Sequence, residues 1–443
     1  MGASRWFAPL LAGAAALVAP QAQAAVHRLH CAQALGTSLD LVTVGGQRAD
    51  AEAALTAALS EIARLEPILS GWREDSELSR ANRGEPAASP DLSHVLAEAE
   101  RWRVLSGGGF DARRGAGWTL DGIAKGYVVD RALYVARAAA PRLQGLLLDI
   151  GGDLAVWGRG PGGGWSVGAA DTARPEDNAD PAAVITLTGA AAVATSGPGP
   201  RGTVHLDRDG LPAREVVSAT AVAACALDAD ALSTALMAMP PREGMRLIEQ
   251  LPGAEARLVG PDGRVYTSSG WRRLASDAPA PRLIRAAAAA PASAPWPPGF
   301  QVSIDYQLQR PAKPPVYSPY LSIWITDAAG RMVRQLTLQG DDPNYIDQNY
   351  VWWRRYGRSA PRIIDAVTRP TRPAGRYSAV WDGKDQAGQM VGQGKYTIHI
   401  EAIREHGSHS YQAIALDLAA QPVQGAGAPG EELGPSKVSY GRR

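Results

Sequence analysis

Residues 286–299 read Ala-Ala-Ala-Ala-Ala-Pro-Ala-Ser-Ala-Pro-Trp-Pro-Pro-Gly, and this stretch divides the chain. It has no amphipathic period, and its prolines can neither continue a helix nor donate to a sheet ladder. Such a segment is a linker. The patterns on its two sides differ. Before it, helical and strand periodicities mix. After it, apolar and polar residues alternate in short runs between turn residues. A chain of 443 residues has room for about three domains. The expected organisation is a signal peptide over 1–24, a mixed unit over 25–275, the linker over 276–300, a β-sandwich over 301–420 and a flexible tail over 421–443. The tail's Gly, Pro and Glu content suggests fraying.

Arg5 precedes an apolar run from Trp6 to Val18, and Ala-Pro-Gln-Ala-Gln-Ala then ends at Ala24. A charged start, a short apolar core and a small-x-small site predict cleavage after Ala24 and export. The run is shorter than the roughly 20 residues that span a bilayer, so no transmembrane helix is expected to be retained. The 45 Lys and Arg balance 44 Asp and Glu, which excludes a nucleic-acid binder with a concentrated basic surface. Two cysteines exclude a disulfide scaffold or a zinc ribbon. Cys31 and Cys225 could pair after export or remain two thiols; their spacing does not decide.

In the mixed unit, Thr37 to Val44 reads as a strand. Arg48 to Leu69 reads as a helix with Leu55, Leu59, Ile62, Leu65 and Leu69 on one face. Ser89-Pro90-Asp91 is a helix start, with a cap, a first-turn proline and an acid. Ile123 to Ala139 and Asp228 to Met239 read as further helices, and Leu146 to Ile150 as a buried strand.

Only five lysines occur in the chain, and the first 312 residues contain one, Lys125. Where arginine supplies the surface charge, a lone lysine marks either chance or a place that wants a compact ammonium. It lies in Asp121-Gly-Ile-Ala-Lys-Gly-Tyr-Val-Val-Asp-Arg131. Gly122 and Gly126 would let the backbone approach a ligand, and amides at a helix start favour an anion. The spacing is not that of a Walker loop. From these residues alone the stretch is a phosphate cradle or a glycine-rich turn that caps a helix. Asp153 ends a strand at a Gly-Gly turn. Thr195, Ser196 and Gly197 form a small hydroxylated stretch, and His205 follows. Asp230 and Thr234 are four apart and share a helix face. A carboxylate and a hydroxyl there suit Mg²⁺, or the acid simply faces the helix dipole.

In this order, DGIAKGYVVDRA, LLLDIGGDLAVWG, VATSG, HLD and ADALSTALMAM resemble the ApbE family of FAD:protein FMN transferases. ILSGWREDSELSRANRG and GGGFDARRGAG upstream extend the resemblance, to roughly residues 35–275. It implies an α+β fold and a periplasmic or otherwise exported enzyme. It implies cleavage of FAD between its phosphates, with Mg²⁺, and attachment of FMN to a threonine of a target flavoprotein. The metal ligands implied are Ala124, through its carbonyl, Asp230 and Thr234. The FAD contacts implied are Ser79, Asn82, Asp121, Gly122, Lys125, Asp153, Thr195, Ser196 and Gly197. His205 is the implied base for the threonine hydroxyl; Lys125 and Asp230 complete the catalytic set. The sequence departs from the family in having only nine residues between Asp111 and Asp121 and a shortened histidine motif. Two other readings use the same residues: an FAD pyrophosphatase with water as acceptor, and a non-catalytic flavin-binding scaffold.

After the linker, Gln301 to Leu308, Leu321 to Thr326, Met332 to Leu338, Gly375 to Trp381, Lys395 to Ile403 and Ser410 to Leu416 read as strands of an immunoglobulin-like sandwich. The hairpin pattern at 375–388 resembles the module of flagellar hook-capping proteins. The whole region more closely resembles an uncharacterised periplasmic domain of flavin-linked membrane redox systems. His399, Glu405, His406 and His409 suggest a metal site or surface histidines on an edge strand. Tyr350 to Tyr356 is an aromatic and basic docking patch, or equally a set of core aromatics.

Overall fold

The computed structural model describes residues 24–35, 37–115, 117–169, 181–197, 206, 210–276, 294–310, 319–340, 351–352, 368–369, 372, 374–404 and 408–442. The first unit opens with strands β1 (Val26–Ala34) and β2 (Thr37–Gly45) and helices α1 (Arg48–Leu69), α2 (Glu77–Asn82) and α3 (Pro90–Leu105). A flap of β3 (Arg113–Arg114) and β4 (Gly117–Trp118) leads to α4 (Ala124–Ala139) and the hairpin β5 (Leu143–Ile150) and β6 (Asp153–Gly158). Strands β7 (Trp165–Ala169), β8 (Ala183–Leu187), β9 (Ala191–Ser196) and β10 (Ser218–Ala223) follow. The unit ends with α5 (Ala226–Met237), α6 (Pro241–Glu249), β11 (Glu255–Val259), β12 (Val265–Thr267), α7 (Trp271–Leu274) and β13 (Ala275–Ser276).

Eight strands form one sheet in the order β1-β2-β5-β6-β9-β10-β11-β12, and every neighbouring pair is antiparallel. Helices cover one face and the small sheet β13-β8-β7 packs against the other. The alternation along β9 sets this up. Ala192 and Ala194 point to the helical layer, while Val193 joins Trp165, Val167, Ile185 and Trp271 on the opposite face. Small residues on the helical side let α5 lie close to the sheet. On α1 the fully buried positions are mostly alanines, Ala51, Ala54 and Ala58, with Ile62, Leu65 and Leu69; Leu55 and Leu59 are only partly buried. Helix α3 starts where its sequence says, with Ser89 Oγ accepting from the Leu92 amide at 3.1 Å. Cys31 and Cys225 are not joined by a disulfide. Burial beside Asp130 pushes the Cys225 thiol up to about 12, so it is protonated and unreactive at neutral pH.

The second unit consists of β14 (Phe300–Leu308), β15 (Tyr320–Asp327), β16 (Met332–Gln339), β17 (Thr368–Arg369), β18 (Gly375–Trp381), β19 (Gly394–Ile403), β20 (His409–Leu418), β21 (Val423–Gly427) and β22 (Ser436–Arg442). They form two sheets, β18-β14-β22-β21 and β17-β16-β15-β19-β20, that share one apolar core. Two boundaries differ from expectation. The tail expected to fray supplies β21 and β22, and Val438 and Tyr440 are fully buried. Alternation at Ser436, Val438 and Tyr440 encodes that strand, but the Gly and Pro around it mask the signal. The linker also ends before residue 300, because Trp296 packs edge-on against Trp381 and Tyr440.

The histidines of this unit form no metal cluster among the described residues. His399 is buried, stacked on Trp324, and bonded to Thr326 Oγ1 at 2.9 Å and Tyr411 Oη at 2.7 Å. His409 Nε2 lies 2.8 Å from Glu401 Oε1. Glu405 and His406 lie outside the described residues. Of the aromatic patch, Val351 and Trp352 are described, and Trp352 belongs to the interior. It is fully buried, its amide donates to Glu401 Oε2 at 2.9 Å and its indole to Gln335 Oε1 at 2.6 Å. Among the described residues no helix is long and apolar enough to cross a membrane.

Candidate active site

The site is built where the first turn of α4 packs on α5 beside the β5–β6 hairpin. The Asp121–Gly126 stretch closes a turn in which the Leu120 carbonyl accepts from the Ile123 and Ala124 amides at 3.0 and 2.8 Å. Its glycines allow close packing, Gly122 against Thr234 and Gly126 against the start of α5. A Cβ at Gly126 would stand 2.2 Å from the Ala226 carbonyl oxygen. A Cβ at Gly122 would stand 2.7 Å from Thr234. Their absence brings α4 directly onto α5, and the Gly126 amide then donates to Asp230 Oδ2 at 3.0 Å.

The hairpin is fixed by Gly151 and Gly152, both with positive φ, as a two-residue turn between twisted strands requires. Asp149 Oδ1 accepts from the Gly152 amide at 2.8 Å. The turn delivers Asp153, 2 % exposed, so that its Oδ2 lies 3.1 Å from Lys125 Nζ. Ser196 Oγ lies 2.8 Å from Ser233 Oγ, which in turn donates to the Asp230 carbonyl at 3.0 Å. Thr195 Oγ1 lies 3.1 Å from Thr220 Oγ1. Lys125, Asp153, Asp230, Thr234, Gly122 and Ser196 are thus joined by contacts across four elements.

The remaining predicted residues stand apart from that set or outside it. Asn82 clamps the flap, with Nδ2 donating to the Trp118 carbonyl at 2.9 Å and Oδ1 accepting from the Trp118 amide at 2.8 Å. Ser79 Oγ donates to the Arg73 carbonyl at 2.7 Å. Both residues sit on α2; Asn82 holds the segment that leads into the Asp121 turn, and Ser79 holds the loop before α2. Asp121 itself is exposed. Gly197 follows the end of β9, and His205 lies outside the described residues.

The electrostatics are those of an acid-rich pocket around one ammonium. Desolvation works against the charged Lys125, but attraction from Asp153, Asp230 and Asp149 outweighs it and the lysine pKa is raised. Asp153 is raised by desolvation, which exceeds the pull of Lys125. Asp230 is raised well above its ordinary value by desolvation and then by repulsion from Asp153. Asp149 is pushed up to about 7, first by desolvation and then by Asp40. Burial makes the ionised forms of Asp153, Asp230 and Asp149 costly around a single ammonium, and a bound cation would offset that cost.

The donors fit Mg²⁺. Asp230 and Thr234 offer hard oxygens on one face of α5, and Ala124 is the first residue of α4, the helix that packs on α5. Among the described residues no three His, Cys, Asp or Glu side chains converge as metal ligands. A cation here would rest on one carboxylate, a hydroxyl and carbonyl or phosphate oxygens, a partial protein shell of the kind Mg²⁺ accepts.

Asp130 and Asp149 lie inside the sequence stretches that mark the site, yet the residue pattern distinguishes neither. Asp130 accepts from the Ala226 and Leu227 amides at 2.8 and 2.9 Å. Only the α4–α5 contact reveals that role.

Comparison with known proteins gives the family of the chain. The ApbE family matches over residues 35–119 and 112–258, and a family described as a predicted periplasmic protein (DUF2271) matches over 301–434. An FAD:protein FMN transferase of Treponema pallidum (strain Nichols) is 29% identical over 181 residues, 36% of this chain and 48% of that protein. The chain thus spans about half the length of that curated relative. Among solved structures, the flavin transferase ApbE from Vibrio cholerae is 22% identical with a TM-score of 0.48, covering 57% of this chain and 99% of that one. The ApbE protein from Thermotoga maritima is 25% identical with a TM-score of 0.49, covering 56% and 99%. The family match takes in half of the sequence and contains every element that builds the site, and the chain belongs to the ApbE family.

Proposed function

We propose that the first unit transfers FMN from FAD to a threonine side chain of a target flavoprotein, releasing AMP. The convergence of Lys125, Asp153, Asp230 and Thr234 at the α4–α5 contact carries this reading. The threonine oxygen attacks the FMN phosphorus of FAD. A phosphoester P–O bond forms, the pyrophosphate P–O bond breaks, and AMP leaves with the bridging oxygen. The hydroxyl proton passes to a base, for which the family resemblance nominates His205. Lys125 turns from Asp153 towards the pyrophosphate and neutralises charge as it develops on the phosphoryl oxygens. Asp230, Thr234 and the Ala124 carbonyl would hold Mg²⁺, which when bound supplies further charge stabilisation at the phosphates. Ser79 and Asn82 contribute to FAD binding from α2, and Asn82 also braces the flap through Trp118. Gly122, Thr195, Ser196 and Gly197 line the pocket with backbone and small hydroxyls.

The second unit is an immunoglobulin-like sandwich that recruits the exported or membrane-bound target. The apolar N-terminus directs export to the periplasm and is cleaved after Ala24. The test is incubation of the mature chain with FAD, Mg²⁺ and a protein bearing a flavinylation threonine, read as flavin fluorescence on a denaturing gel. A Mg²⁺-dependent fluorescent target band that is lost in Asp230→Ala is the expected result. AMP without a band is the signature of a pyrophosphatase. Bound FAD with neither product is that of a scaffold.

A further inference from the structure

Helix α5 carries Asp230, whose charge acts on Lys125, and Thr234, yet its own N-terminus lacks a local cap. The N-cap residue is Cys225, and its side chain makes no capping hydrogen bond. The amides of Ala226 and Leu227 donate instead to the two oxygens of Asp130, at 2.8 and 2.9 Å. That acid belongs to α4, the helix that begins with Ala124 and Lys125. One turn earlier on α4, Gly126 donates its amide to Asp230. Three hydrogen bonds therefore cross a single helix–helix contact, and the missing Gly126 side chain lets the backbones touch. On its other side α5 is held through Asp228, which accepts from Trp102 Nε1 at 2.9 Å and pairs with Arg101. A Ser or Asp at position 225 would cap α5 locally. Capping from α4 does something more, because it couples the placement of the two helices.

We propose that Asp130 is a positioning residue for the cation site, fixing the first turn of α5 so that Asp230 and Thr234 stand in register with Lys125. The proposal rests on the cation site of the preceding reading. Desolvation pushes the Asp130 carboxyl up to about 6 in spite of its two amide partners, so the cap is held at a cost to the charged form. A surface cap would carry no such cost.

The test is Mn²⁺ binding to the full mature chain, measured by electron paramagnetic resonance without nucleotide, alongside thermal melts. The variants are Asp130→Ala, Asp130→Asn and, as the control, Asp230→Ala. Asp130→Ala is expected to weaken Mn²⁺ binding by about tenfold, the usual effect of removing an orienting partner. Asp130→Asn keeps an acceptor and is expected to restore most of that affinity. Asp230→Ala should abolish the site. If Asp130→Ala does not fold, Asp130→Asn carries the test through a loss of about two- to threefold. Mn²⁺ affinity unchanged in the folded variants, with only the melting temperature lowered, overturns the proposal and leaves a simple cap. Wild-type protein without Asp230-dependent Mn²⁺ binding overturns the cation site and the proposal together.

Discussion

The amide of Gly126 donates to the carboxylate of Asp230 across the α4–α5 contact at 3.0 Å. The contact tolerates no side chain at Gly126. In Gly126→Ala the new methyl meets the Ala226 carbonyl, and the helices must separate. Overpacking of this kind costs about 1–3 kcal/mol. Chemical denaturation should show that loss, and transferase activity should fall further than stability explains, because Asp230 moves with α5.

Lys125 and Asp153 form the ion pair at the centre of the site. Lys125→Met leaves the buried Asp153 without its cation. Removing one partner of a fully buried pair costs roughly 3–5 kcal/mol. The lysine side chain is 35% exposed, and screening reduces the expected loss to about 2 kcal/mol. The double variant Lys125→Met with Asp153→Asn should recover much of that stability in urea melts while remaining inactive. A double variant as unstable as the single one would show that the pair is not what holds Asp153.

Asp149 gives the pH dependence. Its folded pKa of about 7 stands above its ordinary value of 3.8. Such a carboxyl contributes stability that is present below about pH 4 and is lost as pH rises through 7. The full shift corresponds to at most about 4 kcal/mol, and screening of a half-buried group brings the expected loss to about half of that. Asp149→Asn keeps the acceptor for Gly152 and removes the titration. The stability of the variant relative to wild type should therefore grow between pH 4 and pH 8. A difference that is flat with pH would contradict the raised pKa.

Trp352 separates core from docking surface in the second unit. It is buried and bonded to Glu401 and Gln335. Trp352→Ala is expected to cost about 3–5 kcal/mol, a core truncation. It should lower the melting temperature of the second unit. Among variants kept folded by low temperature, affinity for the target should be unchanged.

Much of this architecture was legible in the sequence where local chemistry dominates. Ser89-Pro90-Asp91 specified the start of α3, and the alternation from Gly375 to Trp381 specified β18. Tertiary context decided what was hidden. The strand at Ser436–Arg442 is short and surrounded by Gly and Pro, and its burial depends on Trp296 from the far end of the unit. At the site, residue types and order pointed to Lys125, Asp153, Asp230 and Thr234. Sequence spacing could not show that Gly122 and Gly126 serve helix contact, because that depends on α5 arriving from a hundred residues away. Asp130 was invisible for the same reason.

The central claim is that one FMN is attached to the target for each AMP released. Both should be measured in one sample, AMP by chromatography and FMN by the intact mass of the target. Equal amounts, with both lost in Asp230→Ala, are the predicted result. AMP in excess over an unmodified target would contradict the claim and identify water as the acceptor.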